Sequence, residues 1–214
     1  MQFFQMILKG GPVMWPILFA GLVGLFVFLL KTIQFHREEI NVSELVKGLM
    51  NVLKRDGLIE AISLCDNTPG PVAKVVGAAI LALERGDDDL RQAADETYLQ
   101  ELPKLERHLS VLGTVGYIAP LLGFFGTVLG MMKAFHTIGA NESVNFTAAM
   151  IAGPLGNALL TSAFGLLVAI PCYLGYNYLV GRVNQLTFDM ERAATEIIGF
   201  CERRRQESGD EKAD

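Results

Sequence analysis

The sequence has long stretches with almost no charge. Residues 10–30 contain no Asp, Glu, Lys, Arg or His, and residues 110–181 contain only Lys133, Glu142 and His136 of these types. The 214-residue chain has 18 basic and 23 acidic residues, and nearly all of them lie outside these two stretches. This distribution excludes a single soluble globular domain and is typical of a chain with segments inside a lipid bilayer. The net charge is −5, whereas a nucleic-acid-binding protein is expected to be basic overall.

Cysteine is scarce as well. The three cysteines, Cys65, Cys172 and Cys201, are far apart and form no CxxC pair, which excludes a disulfide framework and a zinc site of the usual spacing. The chain contains no GxxxxGK[ST], GxGxxG, HExxH or GxSxG motif, and its three histidines are widely separated. The sequence therefore predicts no cofactor, no metal and no catalytic residue, and we do not expect an enzyme.

Three apolar segments are long enough to cross a bilayer as helices. They cover residues 12–30, 110–135 and 148–180, and about 20 apolar residues span the hydrocarbon core. The first could be a signal peptide, but only Lys9 is basic before it and no small-residue cleavage site follows it. We therefore predict an all-α polytopic membrane protein with three transmembrane helices.

The basic residues predict the orientation of these helices. Residues 31–109 hold ten Lys or Arg and residues 182–214 hold six, whereas the 136–147 segment holds none and the 1–11 stub holds only Lys9. Because basic residues favour the cytoplasmic side, we expect 1–11 and 136–147 to be a periplasmic stub and a short periplasmic loop. Residues 31–109 and 181–214 then form a cytoplasmic helical domain and a cytoplasmic C-terminal helix and tail, and the protein belongs in the bacterial inner membrane.

The 31–109 region has the pattern of a helical domain. Apolar residues recur at helical spacing after Asn41 and Ser43, which are candidate caps. A second helix is predicted over Val72 to Glu84. Asp87 to Asp89 is expected to cap a last helix, which leads past Pro103 towards the second span.

Within the spans, small and neutral polar residues occur at helical spacing, whereas Asp, Glu and His are missing from the hydrocarbon part. A chain of this kind carries no proton on a buried carboxylate, so an ion-conducting role needs a titratable group from a second polypeptide. Hydroxyl and amide groups can still solvate an ion or orient water beside that group. The residues predicted to line such an ion path are Thr127, Ser162, Thr161 and Asn157.

Small residues allow helices to approach closely. The glycines predicted to pack the helices around the pore are Gly116, Gly123, Gly126, Gly130 and Gly165. Three prolines within the spans are candidates for helix kinks, either towards a water-lined cavity or for packing alone. They are Pro120, Pro154 and Pro171.

Two segments resemble the core pattern of the ExbB/TolQ/MotA proton-channel family. They are the APLLGFFGTVLGMMKAF run at residues 119–135 and the ALLTSAFGLLVAIP run at residues 158–171, which is followed by Tyr176-Asn177. The GGPVMWPIL run at residues 10–18 is similar to many ExbB N-termini. Three spans rather than four favour the ExbB/TolQ branch over the flagellar stators.

The resemblance implies a homopentamer whose second and third helices line a pore. That pore would enclose the helices of a dimeric, single-pass ExbD- or TolR-like partner, each chain of which supplies one membrane Asp, and a TonB- or TolA-like protein could receive the energy. Thr127 matches the family threonine of the GTV motif, and Ser162 stands where a threonine is usual. Asn157 departs from the pattern, because many family members carry Glu there.

The leading hypothesis is a pore-forming subunit of an ion-driven inner-membrane motor. Proton flow through it, or less readily sodium flow, would move the partner and energise transport or envelope processes. The alternatives are a non-conducting pentameric scaffold, favoured by Asn157, and a gliding or stator-type subunit. A secondary transporter is weaker, since three spans show no evident internal repeat.

Overall fold

The protein is described from a computed structural model that covers residues 10–38, 40–55, 57–87, 89–139 and 149–210. Residues 1–9 of the predicted stub, most of the predicted 136–147 loop and residues 211–214 lie outside the described residues. Within the described ranges the chain forms seven α-helices and no strand. The helices are α1 (Met14–Glu38), α2 (Val42–Leu53), α3 (Leu58–Asn67), α4 (Pro71–Arg85), α5 (Leu90–Glu106), α6 (Leu109–Gly139) and α7 (Ala149–Asp210).

Three of these helices carry segments long and apolar enough to cross a membrane, by length and composition. The segments lie in α1, in the α5–α6 stretch and in α7. The prediction of an all-α chain with three such segments is confirmed. The helices continue well beyond the apolar runs, because no proline follows Leu30 in α1 or Val180 in α7, and a glycine such as Gly181 is tolerated inside a helix. In particular, α7 runs on for thirty residues after Val180 as an unbroken helix.

The helical-domain predictions are confirmed at three places. Asn41 rather than Ser43 is the N-cap of α2, where its side chain accepts a hydrogen bond from the Glu44 N–H. Helix α4 extends the predicted Val72–Glu84 range by one residue at each end. Asp89 caps α5 by accepting from the Gln92 N–H. Helix α5 contains Pro103 and ends at Glu106, before a turn in which His108 has φ 69°.

The chain divides into two compact units. The first comprises Met1–Lys31 and His108–Leu179, and therefore contains most of α1, all of α6 and the N-terminal part of α7. In its core, Met14 and Ile17 of α1 pack with Phe164 of α7. Further along α1, Gly24 lies against Cys172 of α7 and Val115 of α6. Helix α1 therefore covers one side of the α6–α7 pair.

The second unit comprises Thr32–Arg107 and Val180–Asp214. It contains helices α2 to α5 and the C-terminal part of α7. Its buried residues are mostly aliphatic, as expected for amphipathic helices packed around one core. Fully buried members include Leu49, Val72, Ile80, Met190 and Ile197.

Candidate ion-path site

Helices α6 and α7 touch backbone to backbone near the middle of their apolar segments. A Cβ atom added to Gly165 would lie 2.7 Å from the carbonyl oxygen of Ala119, and one added to Gly123 would lie 3.0 Å from Cα of Ser162. Real Cβ atoms essentially never come as close as the first of these distances. Only glycine fits at these two positions, because a methyl group would push the backbones apart.

The other predicted packing glycines lie along the same contact. Gly116 faces the backbone of Tyr173, Gly126 faces the Thr161 side chain, and Gly130 faces Ala158 and the Pro154 carbonyl. Together the five positions form a continuous line of α6–α7 contacts within one chain. Their predicted role in packing a pore between several chains stays a prediction.

Two of the predicted polar residues lie at the edge of this contact. The Ser162 hydroxyl donates a hydrogen bond of 3.0 Å to the Gly123 carbonyl across the helix pair. The Thr127 hydroxyl donates one of 2.6 Å to the Phe124 carbonyl of its own helix. Both side chains are half-buried. Since a hydroxyl has one proton and two acceptor lone pairs, each oxygen keeps the capacity to accept a hydrogen bond.

The other two predicted polar residues have different surroundings. Thr161 is only 2% exposed, and its side chain lies against Gly126. Its hydroxyl donates a hydrogen bond of 2.7 Å to the Ala158 carbonyl. Asn157 is exposed. It is one helical turn before Leu160, which packs against the Met14–Ile17–Phe164 cluster, so it lies on the side of α7 that faces α1.

The structure therefore separates the four residues. Ser162 contacts Gly123 of α6 and therefore lies on the part of α7 that α1 does not cover. Thr127 lies on the neighbouring part of α6. Thr161 is enclosed between α6 and α7. Asn157 is on the α1 side, beyond the end of the α1 contact.

The three prolines lie inside helices that continue through them. Pro120 is in α6, and Pro154 and Pro171 are in α7. Each lacks a backbone N–H and so leaves the carbonyl four residues earlier without its helical donor. Their role as kinks stays a prediction.

No titratable carboxyl group accompanies these residues within the first unit's described helices. Between Leu109 and Gly139 the ionisable side chains with a formal or possible positive charge are Lys133 and His136, and between Ala149 and Leu179 there is no Asp, Glu, His, Lys or Arg. Among the described residues, no group of three or more His, Cys, Asp or Glu could hold a metal ion. The site can accept and donate hydrogen bonds, but it has no carboxylate of its own to carry a proton.

Sequence reasoning missed an aromatic pair on α6 and α7. The rings of Tyr117 and Tyr173 meet edge to face, with centroids 6.1 Å apart and planes at 82°. The sequence signal was available, since Tyr173 follows Ser162 by eleven residues and so lies within about 20° of it on the helix. Pairing with Tyr117 depends on the helix register and could not be read from the sequence.

A buried carboxyl group in the second unit was missed too. Glu101 of α5 accepts hydrogen bonds from Lys104 at 2.6 Å and from Lys74 of α4 at 3.1 Å. Burial raises the pKa of Glu101, but the hydrogen bonds and charges of the two lysines outweigh that effect and hold the pKa below its usual value. This group ties α4 to α5 and lies outside the apolar segments.

A sequence model of the MotA/TolQ/ExbB proton channel family matches residues 68–192, which is more than half of the chain. The chain belongs to this family. The match includes the α6 and α7 segments that carry the glycine contact, Thr127 and Ser162. The resemblance inferred from the sequence is thereby confirmed, and the family is one of channel and transport proteins.

Named relatives are similar over different lengths. A biopolymer transport protein ExbB homologue of Methanothermobacter thermautotrophicus is 29% identical over 84% of this chain and 63% of its own length. Biopolymer transport proteins ExbB of Neisseria gonorrhoeae and Xanthomonas campestris pv. campestris are 38% and 40% identical over 46% and 51% of this chain. The chain spans less than two thirds of the first relative and less than half of the other two, at 44% and 40%.

Proposed function

We propose that this chain is the pore-forming subunit of a proton-driven membrane motor. The observation that carries the proposal is the position of Thr127 and Ser162, two hydroxyl groups near the middle of the α6–α7 pair on the side that α1 does not cover. Polar groups in such a place are costly unless they serve packing or an ion path. Membership of a proton channel family favours the ion path.

The hydrogen bonds of the two hydroxyls suggest what they do. Each donates its proton to a backbone carbonyl, so each presents acceptor lone pairs to whatever lies on the uncovered side. An acceptor stabilises the protonated form of a carboxyl group, or a protonated water, more than the ionised carboxylate. Rotation of the hydroxyl would reverse this preference. The pair can therefore respond to both protonation states of a carboxyl group that passes it.

The carboxyl group has to come from another chain, because the apolar segments contain none. We infer a single-pass ExbD- or TolR-like partner, present as a dimer, whose membrane Asp supplies it. Five copies of this chain would surround that partner, with α6 and α7 towards it, the second unit in the cytoplasm and the N-terminus in the periplasm. Each proton crossing 100 mV releases about 2.3 kcal/mol, and a TonB- or TolA-like protein would receive the resulting movement.

Within this proposal the four predicted polar residues have different roles. Thr127 and Ser162 face the partner's carboxyl group. Thr161 supports the α6–α7 contact, because its side chain is enclosed. Asn157 is exposed at the outer part of α7 and helps to shape the vestibule there without charge.

The test is proton flux in liposomes that contain this chain and its partner. Thr127→Ala combined with Ser162→Ala should reduce the dissipation of a pH gradient strongly, while Thr97→Ala should leave it unchanged. Thr97 is a matched control, since its hydroxyl makes the same kind of bond to the Ala93 carbonyl in α5. Flux that is unaffected by the double variant would show that the hydroxyls serve packing only.

The second candidate function is a non-conducting membrane scaffold. It is favoured by Asn157, an amide where many family members carry a carboxylate. Liposomes that contain the intact complex but conduct no protons would support the scaffold. A neighbouring reading frame for a short protein, with one transmembrane helix that contains Asp, would support the motor.

A further inference from the structure

A second group of polar side chains surrounds Tyr173, which lies within about 20° of Ser162 on α7. It consists of Tyr117 and Thr114 on α6 and of Tyr173 and Asn177 on α7, all of them exposed. Tyr117 is 66% exposed and Tyr173 45%. The two rings are held edge to face, and Gly116 allows the Tyr173 backbone to approach to 3.4 Å of a Cβ position. We call these four residues the tyrosine cluster.

The tyrosine cluster is separated from the hydroxyl pair by an apolar interval. Eleven residues from Ser162 to Tyr173 correspond to about 16 Å along the helix, and ten residues from Thr127 to Tyr117 to about 15 Å. On the α7 side the interval is occupied by Leu166 and Ile170, spaced by four residues, and both are exposed. The cluster thus lies towards the end of α7 that continues into the second unit.

The hydrogen-bonding groups of the cluster are partly used by backbone. Thr114 donates a hydrogen bond of 2.7 Å to the Ser110 carbonyl, and Asn177 donates one of 3.0 Å to the Tyr173 carbonyl. These bonds fix both side chains. Among the described residues neither phenol hydroxyl, of Tyr117 or of Tyr173, has a hydrogen-bond partner. The cluster therefore presents acceptors on two fixed side chains and two hydroxyls that can both donate and accept.

We propose that the tyrosine cluster is the cytoplasmic mouth of the ion path, where its phenol hydroxyls bind the water that passes protons to or from the hydroxyl pair. A phenol suits this role because its hydroxyl can both donate and accept a hydrogen bond. This inference rests on the proposed function, and it adds a second polar position to the path. The two positions would be bridged by movement of the partner's carboxyl group across the apolar interval.

The competing explanation is an aromatic belt, in which tyrosines mark the lipid headgroup level. The chain contains a matched control for it. Tyr178 is 57% exposed at a similar depth on α7, but five residues turn it by about 140° from Tyr173. If the tyrosines belong to an aromatic belt, removal of the Tyr178 hydroxyl and removal of the Tyr173 hydroxyl should have the same effect on proton flux. If they belong to an ion path, only the hydroxyls of Tyr173 and its neighbour Tyr117 should matter.

The experiment compares proton flux in liposomes containing the complete complex, with Tyr117→Phe, Tyr173→Phe, both together, or Tyr178→Phe. Phenylalanine keeps the rings packed and removes only the hydroxyls. We expect the double variant to lower the initial flux about three- to ten-fold, as the loss of one or two hydrogen bonds implies, and Tyr178→Phe to match the unchanged protein. Intact assembly of each variant is checked by size-exclusion chromatography, and the single variants keep the test open if the double variant does not assemble.

The outcomes test the role of the tyrosine cluster and the proposed function separately. Unchanged flux in all variants, or an equal loss in Tyr178→Phe and Tyr173→Phe, would overturn the role of the tyrosine cluster while the proposed function stands. Absence of flux in the unchanged complex would overturn the proposed function itself. Loss confined to Tyr117→Phe and Tyr173→Phe would support the proposal.

Discussion

Substitution of Gly165 by alanine tests the α6–α7 contact that positions the site. The added methyl group would lie 2.7 Å from the Ala119 carbonyl, whereas ordinary contact begins at 3.4 Å, so the helices must separate by about 0.7 Å. Overpacking of this kind costs about 3 kcal/mol. The Ser162–Gly123 bond, already 3.0 Å, would be broken at a further cost of about 0.6 kcal/mol. Alanine recovers about 1 kcal/mol of helix propensity, which leaves a net loss of about 2–3 kcal/mol.

For a chain of this length that loss corresponds to a melting temperature about 5–10 °C lower. The measurement is thermal unfolding of the purified protein in detergent. Gly156→Ala is the matched control on the same helix, because nothing lies within 4 Å of its Cβ position, and it should unfold at the same temperature or slightly higher. If the two variants unfold at the same temperature, the close backbone approach is wrong and so is the placement of Ser162 beside Gly123.

Three further predictions concern the second unit. Glu101→Gln should cost about 1 kcal/mol at pH 7. Because the folded pKa of Glu101 is lowered, the difference from the unchanged protein should shrink as pH falls below the ordinary carboxyl pKa and vanish only below the lowered folded pKa, as followed by unfolding at several pH values. Asp89→Ala removes the α5 cap and should cost about 1 kcal/mol in chemical denaturation, whereas Asp87→Ala should cost little. Burial raises the pKa of Cys65 and of Cys201 to about 11, so both should resist a thiol reagent at pH 8 until the protein unfolds.

The spans could be predicted from the sequence because hydrophobicity is a local property. Bilayer crossing depends on the length of an apolar run, and residues 12–30, 110–135 and 148–180 each provide one. The same local information does not tell where a helix ends. The polar sequence after Val180 is as good a helix former as the apolar sequence before it, so α7 continues to Asp210.

The polar residues of the site could be found from the sequence but not assigned to a side of the helix pair. Asn157, Thr161 and Gly165 are spaced by four residues, and this spacing alone fits a pore-facing stripe as well as a packing stripe. The choice depends on where α1 docks and on the register of α6 against α7, which are tertiary properties. The structure encloses Thr161 in the contact and leaves Ser162, one residue later, at its edge.

The difference between Thr161 and Ser162 shows how a channel subunit without charged residues in its apolar segments can still present a hydroxyl group to a proton path. Adjacent residues on a helix are turned by about 100°, so one hydroxyl can secure the helix pair while the next serves the path. Thr161 donates within α7, whereas Ser162 donates to α6. The Ser162 oxygen is therefore held in place by the same close approach at Gly123 that excludes larger residues. A neutral hydroxyl whose oxygen is fixed in this way can accept from a protonated carboxyl group or, after rotation, donate to an ionised one. A charged side chain in the same apolar surroundings would favour one of these two states.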